Sequence, residues 1–271
     1  DRVAAQQARL SEGYGGDDTL LEKALMYNLS SHPHVARIVE CWHEARNIYT
    51  VMEYVNGELL SRVSAGGAFD EATARHFFRQ ILAGVKALHD IGYCHRDLSL
   101  ENVLVTDDDV AKLIDFGAAA RLPPLSRVTA PDGSTSWVDT PLQPPATPFG
   151  KTAYMLPEYY HKLPYSGRQF DLWSAAVCLY IMLEGEYLYA APSAADAKFM
   201  ALHTGNFAGL FEARNTARAA AGRPPLSPAL QDLLAGTLHP DPNARPHTVD
   251  VLLGHVWVSG STPPPPPLSS T

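Results

Sequence analysis

The sequence predicts an α+β fold in which a few short strands near the N-terminus precede a mainly helical remainder. Three observations carry this prediction: an amphipathic helical pattern over residues 18–30, two short β-branched and aromatic runs at residues 36–42 and 47–54, and helical spacing of apolar residues from residue 70 onward. At 271 residues, the chain is long enough for one large domain or for two fused lobes.

Three helices follow from the spacing of the apolar residues. The first, over residues 18–30, has an acidic start and a single apolar stripe formed by Leu21, Leu25, Met26 and Leu29. The second is expected to begin at Asp70 and to run to about Asp90, because Gly92 then stops it. The third, around residues 171–183, is apolar on nearly all sides and is therefore expected to be buried.

The segments between and after these helices are less regular. Two very short strands are predicted at residues 102–105 and 111–114, and a stretch rich in Pro, Ser and Thr follows over residues 118–149. The composition of that stretch alone favours a disordered surface loop. The C-terminal residues STPPPPPLSST are expected to form a flexible tail with polyproline-II character.

Composition argues against several classes of function. A formal charge of −8 with only 21 Lys and Arg residues does not favour a nucleic-acid surface. Cys41, Cys94 and Cys178 lie far apart, which suits a reducing compartment, and we expect all three to be buried thiols. Since no apolar run approaches the roughly 20 residues that span a bilayer, we expect no membrane span and an intracellular, cytoplasmic protein.

Four motifs occur in a fixed order between residues 95 and 174. Residues 95–102 have the sequence HRDLSLEN, and residues 115–117 (DFG) follow, with Asp115 placed 18 positions after Asp97. Residues 156–158 (LPE) and 171–174 (DLWS) come next. This set closely resembles the catalytic loop, the DFG motif and the large-lobe motifs of the eukaryotic protein kinase domain of Ser/Thr type.

The resemblance covers residues 19–257 and implies a two-lobed protein kinase-like fold with an incomplete small β lobe and a mainly helical large lobe. We therefore expect residues 1–54 to form part of the small lobe, residues 55–257 the large lobe and residues 258–271 the flexible tail. A protein substrate and ATP are the partners that this family implies.

The resemblance also implies roles for individual residues. Asp97 would act as the base that accepts the proton of the substrate hydroxyl, and Asn102 and Asp115 would hold Mg²⁺, which prefers oxygen ligands. Nucleotide contacts would come from Glu22 on the small-lobe helix, from Glu53 and Val55 at the hinge, and from Leu104, Asn102 and Asp115. Structural roles are implied for other residues. A buried spine anchored by Asp171 would consist of Met26, Ile38, His95 and Phe116. Glu158 and Arg245 would form a buried ion pair.

The first departure from the family pattern lies upstream of Glu22. No glycine-rich phosphate loop precedes it, and Gln6 is the residue that would occupy the place of the ATP-contacting lysine. We expect truncation and not loss of this apparatus, because a small lobe without its first strands exposes a sheet edge. This chain on its own is therefore expected to bind Mg-ATP weakly or not at all.

Two further departures fall on facing positions. Ser99 stands where the family has a catalytic-loop lysine, and Lys151 stands where it has a threonine in the substrate-binding turn. We predict that the two changes are one exchange, so that Lys151 acts in catalysis with Ser99. The alternative is that Ser99 marks a pseudokinase, a scaffold or regulatory binding module without efficient phosphotransfer.

A regulatory site is predicted in the Pro- and Thr-rich segment. Thr147 lies eleven residues before Glu158, where related kinases carry an activating phosphothreonine, and Arg96 is the expected phosphate receptor. An upstream activating kinase is the partner that such a site implies.

Overall fold

The computed structural model describes residues 19–45, 47–129 and 135–260. The expectations for Gln6 and the upstream glycines, and for the tail beyond residue 260, lie outside these residues.

Helices dominate the described residues. The α-helices are α1 Thr19–Asn28, α2 Leu59–Gly66, α3 Glu71–Asp90, α4 Pro157–Tyr160, α5 Gly167–Glu184, α6 Ala197–His203, α7 Phe207–Ala220, α8 Pro228–Thr237, α9 Val249–Gly254 and α10 Val256–Ser259. Short 3₁₀ helices cover Leu100–Asn102, Thr152–Tyr154 and Pro242–Ala244. The helices predicted at residues 18–30, 70–90 and 171–183 correspond to α1, α3 and α5.

Within residues 19–45, 47–129 and 135–260, the strands form four small sheets. They are β1 Ile38–Glu44, β2 Asn47–Met52, β3 Gly57–Glu58, β4 Tyr93–Cys94, β5 Val103–Val105, β6 Ala111–Leu113, β7 Ala120–Arg121, β8 Ser126–Thr129 and β9 Thr135–Val138. β1 pairs antiparallel with β2, β5 lies between β3 and β6, β4 pairs with β7, and β8 pairs with β9. The predicted hairpin and the two predicted short strands are thus present as β1–β2, β5 and β6.

Helices α3 and α5 form the centre of the large helical region. Asp70 caps α3 by accepting a hydrogen bond from the Thr73 amide at 2.7 Å, as expected for an N-cap aspartate. Gly84 lets α3 approach β6, because a Cβ atom there would lie 2.8 Å from the His34 carbonyl and the Leu113 side chain. α5 is buried along nearly its whole length, in agreement with its apolar sequence.

A buried ion pair joins α4 to Arg245, which directly follows the 3₁₀ helix Pro242–Ala244. Arg245 donates to the two carboxylate oxygens of Glu158 at 2.8 and 3.0 Å, and its guanidinium lies over the ring of Trp173. Arg245 is only 3% exposed, so this is the pair that the family resemblance predicted. The helical and sheet-containing parts together confirm the α+β prediction.

Two features differ from expectation. The segment over residues 118–149, for which composition favoured a disordered loop, contains the antiparallel pair β8–β9. Cys94 and Cys178 are buried, but Cys41 is exposed. The prediction for Cys41 is wrong because nearly all of β1 outside Ile38 is solvent-exposed. In the part of the chain described here, no helix is both long and apolar enough to cross a membrane.

Candidate active site

The carboxylate of Asp171 holds the backbone of the loop that carries Asp97. Asp171, fully buried in α5, accepts hydrogen bonds from the backbone amides of His95 at 2.8 Å and Arg96 at 2.9 Å, and its Oδ2 lies 2.8 Å from His89 Nε2. Arg96 has a φ of 63°, a left-handed conformation that is unfavourable for a long side chain. The Asp171 contacts hold this strained turn, which lies directly before Asp97.

His95 is a packed core residue. It is fully buried, its Nε2 lies 3.1 Å from the Ile114 carbonyl, and its ring packs 5.1 Å from the ring of Phe116. Met26 and Ile38 are buried as well. The interpretation of His95 as structural, and not as a base, therefore agrees with its surroundings.

Asp97 lies at the centre of a group of polar side chains. The Asn102 Nδ2 donates to the Asp97 backbone carbonyl at 2.7 Å and to its Oδ2 at 3.0 Å. The backbone amide of Lys151 lies 3.4 Å from Asp97 Oδ1. The Asp97 side chain is 18% exposed, so one side of its carboxylate still reaches solvent.

Asn102 and Asp115 each present an oxygen atom that could bind a cation. Because the Asn102 nitrogen is used by Asp97, its Oδ1 is the atom left to bind a ligand, and no described residue hydrogen-bonds it. Asp115 is exposed, has a φ of 63° and accepts one bond, at 3.3 Å from the Gly117 amide. One carboxylate and one amide oxygen suit a hard divalent cation that takes its remaining ligands from phosphate and water.

Across the described ranges, no three His, Cys, Asp or Glu side chains converge in a way that could hold a metal ion. The Asn102 and Asp115 oxygen atoms would fill only part of the coordination shell of a divalent cation.

Lys151 and Ser99 are in direct contact. The Lys151 ammonium donates to Ser99 Oγ at 2.9 Å and lies 3.5 Å from Asp97 Oδ2. Ser99 is fully buried, whereas the Lys151 side chain is 35% exposed. The two positions at which the sequence departs from the family thus meet beside Asp97.

The predicted hinge residues lie at the edge of the small sheet. The Glu53 carboxylate accepts a hydrogen bond from the Arg37 amide at 2.7 Å and forms an ion pair with Lys112 at 2.9 Å. Its side chain therefore binds other groups of the protein. No described residue hydrogen-bonds the backbone N–H or C=O of Val55. Leu104 is half-buried between two buried neighbours in β5 and therefore faces away from the core.

Glu22 lies in α1, where its Oε2 is 3.7 Å from the Lys23 ammonium. Gln6, which stands where the family has a strand lysine, lies outside the described residues. The role of Glu22 in nucleotide binding stays a prediction.

Arg96 and Thr147 are not joined by a hydrogen bond. The Arg96 guanidinium donates to the Ala118 carbonyl at 2.7 Å and to the Tyr165 hydroxyl at 3.2 Å, and it stacks on the Phe149 ring at 5.1 Å. Burial raises the pKa of Tyr165 to about 12, so Tyr165 accepts this bond as a neutral phenol. Thr147 is exposed, two residues before Phe149, and its regulatory role and the upstream kinase stay predictions.

Two contacts at the site were missed by sequence reasoning. The Tyr154 hydroxyl donates to Glu101 Oε2 at 3.0 Å and so ties the turn after Lys151 to the catalytic loop. Gly150 has a φ of 98°, and a Cβ atom there would lie 3.0 Å from Asp97 Oδ1. A glycine immediately before Lys151 was the one sequence signal that could have indicated this close approach.

Comparison with known proteins assigns the family. A model of the protein kinase domain matches residues 3–258, beginning upstream of residue 19, where the resemblance in the motifs starts. Serine/threonine-protein kinase SRK2J of Arabidopsis thaliana is 34% identical over 186 residues, which cover 68% of this chain and 50% of the relative. The chain belongs to the protein kinase domain family.

Other curated relatives extend the match along the chain. CBL-interacting protein kinase 20 of Oryza sativa subsp. japonica is 32% identical over 264 residues, covering 94% of this chain and 50% of the relative. Maternal embryonic leucine zipper kinase of Xenopus laevis is 34% identical over 234 residues, covering 86% of this chain and 31% of the relative. The chain thus spans about half, or less, of the length of these relatives. Members of the family use ATP, a divalent metal ion and a protein substrate.

Proposed function

We propose that the protein transfers the γ-phosphate of ATP to Ser or Thr hydroxyls of protein substrates, with Mg²⁺ as the metal ion. The observation that carries the proposal is the position of Asp97, whose carboxylate lies between the Asn102 amide and the Lys151 ammonium and is partly exposed to solvent. This arrangement suits alignment of a hydroxyl beside a charged phosphate, which is the main task in phosphoryl transfer.

The proposed reaction is a single displacement. The oxygen of a substrate hydroxyl attacks the γ-phosphorus, the bond from that phosphorus to the oxygen bridging it to the β-phosphate breaks, and ADP leaves with the bonding electron pair. The proton of the hydroxyl passes to the Asp97 carboxylate and from there to solvent. The products are a phosphorylated protein, ADP and one proton.

The neighbouring residues serve this step by position. The Asn102 nitrogen orients Asp97 through two hydrogen bonds, and Asn102 and Asp115 together would hold Mg²⁺. When bound there, Mg²⁺ would supply positive charge to the phosphate oxygens. The unpaired backbone groups of Val55 and the outward-facing Leu104 would contact the nucleotide base.

Ser and Thr are preferred to Tyr as acceptors for two reasons. The catalytic loop has Ser99-Leu100-Glu101-Asn102 and lacks the Ala and Arg pattern of tyrosine kinases. The relatives named above include a serine/threonine-protein kinase, which is said of that protein and supports the same acceptor here.

The proposal is tested with the full-length protein that carries this chain. Asp97→Asn should lower kcat by about 100-fold or more, because general-base catalysis contributes roughly two to four orders of magnitude. Asp115→Asn should reduce the affinity for ATP when Mg²⁺ is present, measured by calorimetry, and should leave the affinity of metal-free ATP unchanged.

The matched control is Asp108→Asn, which changes an exposed aspartate in the loop between β5 and β6 and should retain the wild-type rate. Full activity of the Asp97→Asn protein would overturn the proposed role of Asp97. A full-length protein that transfers no phosphate would overturn the proposed function itself.

A further inference from the structure

We propose that Lys151 supplies the cation that contacts the transferred phosphoryl group, with Ser99 as its hydroxyl partner. The catalytic cation would then come from the turn that follows Gly150, and not from the catalytic loop. This inference rests on the proposed phosphotransfer function, and it assigns to Lys151 a direct contact with the phosphate oxygens of ATP.

The first support is the position of the ammonium. Lys151 Nζ lies 2.9 Å from Ser99 Oγ and 3.5 Å from Asp97 Oδ2, so it is held between the loop and the carboxylate. The Lys151 side chain is 35% exposed and the Asp97 side chain 18%. An ammonium has three donors. One N–H donates to Ser99 and a second is directed at Asp97, so the third N–H is left for a ligand.

The second support is that two other cationic side chains, those of Arg96 and Lys112, already bind other groups of the protein. The Arg96 guanidinium donates to the Ala118 carbonyl and the Tyr165 hydroxyl and is covered by the Phe149 ring. Lys112 pairs with Glu53 at 2.9 Å. Lys151 is therefore the cation in this region that already touches Asp97.

The third support is the burial of Ser99. The Ser99 side chain is fully buried, and its hydroxyl accepts a hydrogen bond from the Lys151 ammonium. This hydrogen bond holds the ammonium in place. A lysine at position 99 and a threonine at position 151 would present the same two groups with their backbone origins exchanged. Two residues that share one task in this way should show non-additive effects.

The turn before Lys151 keeps the cation close. Gly150 has a φ of 98°, and its Cα lies so near Asp97 that a Cβ atom would be 3.0 Å from Oδ1. The Lys151 amide is consequently 3.4 Å from the same oxygen. The cation is thus carried by the segment between Gly117 and Leu156, and its presence at Asp97 depends on how that segment folds.

The decisive experiment is a double-mutant cycle in the full-length protein. Lys151→Thr should lower kcat by about ten-fold or more, since charge on the phosphoryl oxygens develops in the transition state. Ser99→Lys combined with Lys151→Thr should restore much of the kcat that Lys151→Thr alone loses. Lys86→Thr, on the remote face of α3 where Lys86 pairs with Asp90, is the control for loss of one positive charge and should keep the wild-type rate.

A second measurement does not depend on turnover. Calorimetry should show that Lys151→Thr weakens binding of ATP by several-fold more than binding of ADP, because only ATP has the γ-phosphate. The double variant should recover this difference. Thermal melts of each variant confirm that it is folded.

The outcomes separate this inference from the proposed function. Additive losses in the cycle, or equal weakening of ATP and ADP, would overturn the role of Lys151 while wild-type phosphotransfer still supports the kinase function. If wild-type protein transfers no phosphate, the function fails, and the ATP-to-ADP affinity ratio still decides whether Lys151 contacts the γ-phosphate.

Discussion

The region beneath the catalytic loop and the small sheet of β1 and β2 differ sharply in how they use polar and aromatic residues. Beneath the loop, Asp171 is fully buried and Arg245 is 3% exposed, and each is satisfied by several hydrogen bonds. In the small sheet, Trp42 and Tyr49 are each 42% exposed and their rings stack on one another. The backbone of the loop that carries Asp97 is therefore held by buried polar contacts in the large helical region, and not by the small sheet.

A matched pair of tryptophan substitutions tests this difference most strongly. Trp173→Ala should lower the free energy of unfolding by about 3–5 kcal/mol, because Trp173 is buried and donates to the Tyr189 hydroxyl at 2.7 Å. Trp42→Ala should cost only about 0.5–1 kcal/mol, the usual value of an exposed cross-strand aromatic pair. Urea denaturation of both variants measures the two costs, and equal losses would contradict the contrast between the regions.

The buried ion pair gives the next largest expected effect. Glu158→Gln removes the charge that faces Arg245 and should cost about 3 kcal/mol of unfolding free energy, since the arginine is left buried and unpaired. Asp90→Asn breaks the exposed Lys86–Asp90 pair and serves as the control, with an expected change of about 0.5 kcal/mol or less. A loss below about 1 kcal/mol for Glu158→Gln would show that the pair contributes little to the stability of the folded protein.

The smallest expected effect lies at the edge of the small sheet. Partial burial acts to raise the pKa of Glu53, but the hydrogen bonds from Lys112 and the Arg37 amide outweigh burial and lower that pKa. A lowered folded-state pKa means that the stabilisation is present above the ordinary value of 4.5 and is lost as the pH falls through the folded value.

Glu53→Gln should therefore destabilise the protein slightly near neutral pH, by about 0.5 kcal/mol or less, and make no difference in strong acid. Urea midpoints of wild type and variant across this pH range provide the measurement. Glu44→Gln, at an exposed position in β1, is the matched control for the loss of one carboxylate. A difference that persists at the lowest pH would mean that the Glu53 charge is not its source.

The catalytic loop and the elements beneath it could be predicted because their signals are local or have strict spacing. The stripe of apolar residues in α3, the Asp70 cap and the spacing from Asp97 to Asp115 all lie within short stretches of sequence. The Glu158–Arg245 pair joins distant positions, and it was predicted only through the resemblance to a known family.

Other contacts had no comparable signal. The pairing of Glu53 with Lys112 and the enclosure of Arg96 by Tyr165 and Phe149 arise only when distant segments pack together. The β8–β9 pair was missed because Pro-rich composition over residues 118–149 outweighed two short β-branched runs, SRVT and TSWV. For the Glu53 and Arg96 contacts, tertiary packing and not local propensity determined the result.

The most direct test of the account is to locate the phosphate that the full-length protein transfers. Incubation with Mg²⁺ and ATP carrying ¹⁸O in its γ-phosphate, followed by mass spectrometry of protein substrates, should place the label on Ser and Thr. The label should fall by about 100-fold or more in the Asp97→Asn protein and stay at the wild-type level in Asp108→Asn. Label on Tyr alone, or undiminished label with Asp97→Asn, would contradict the account.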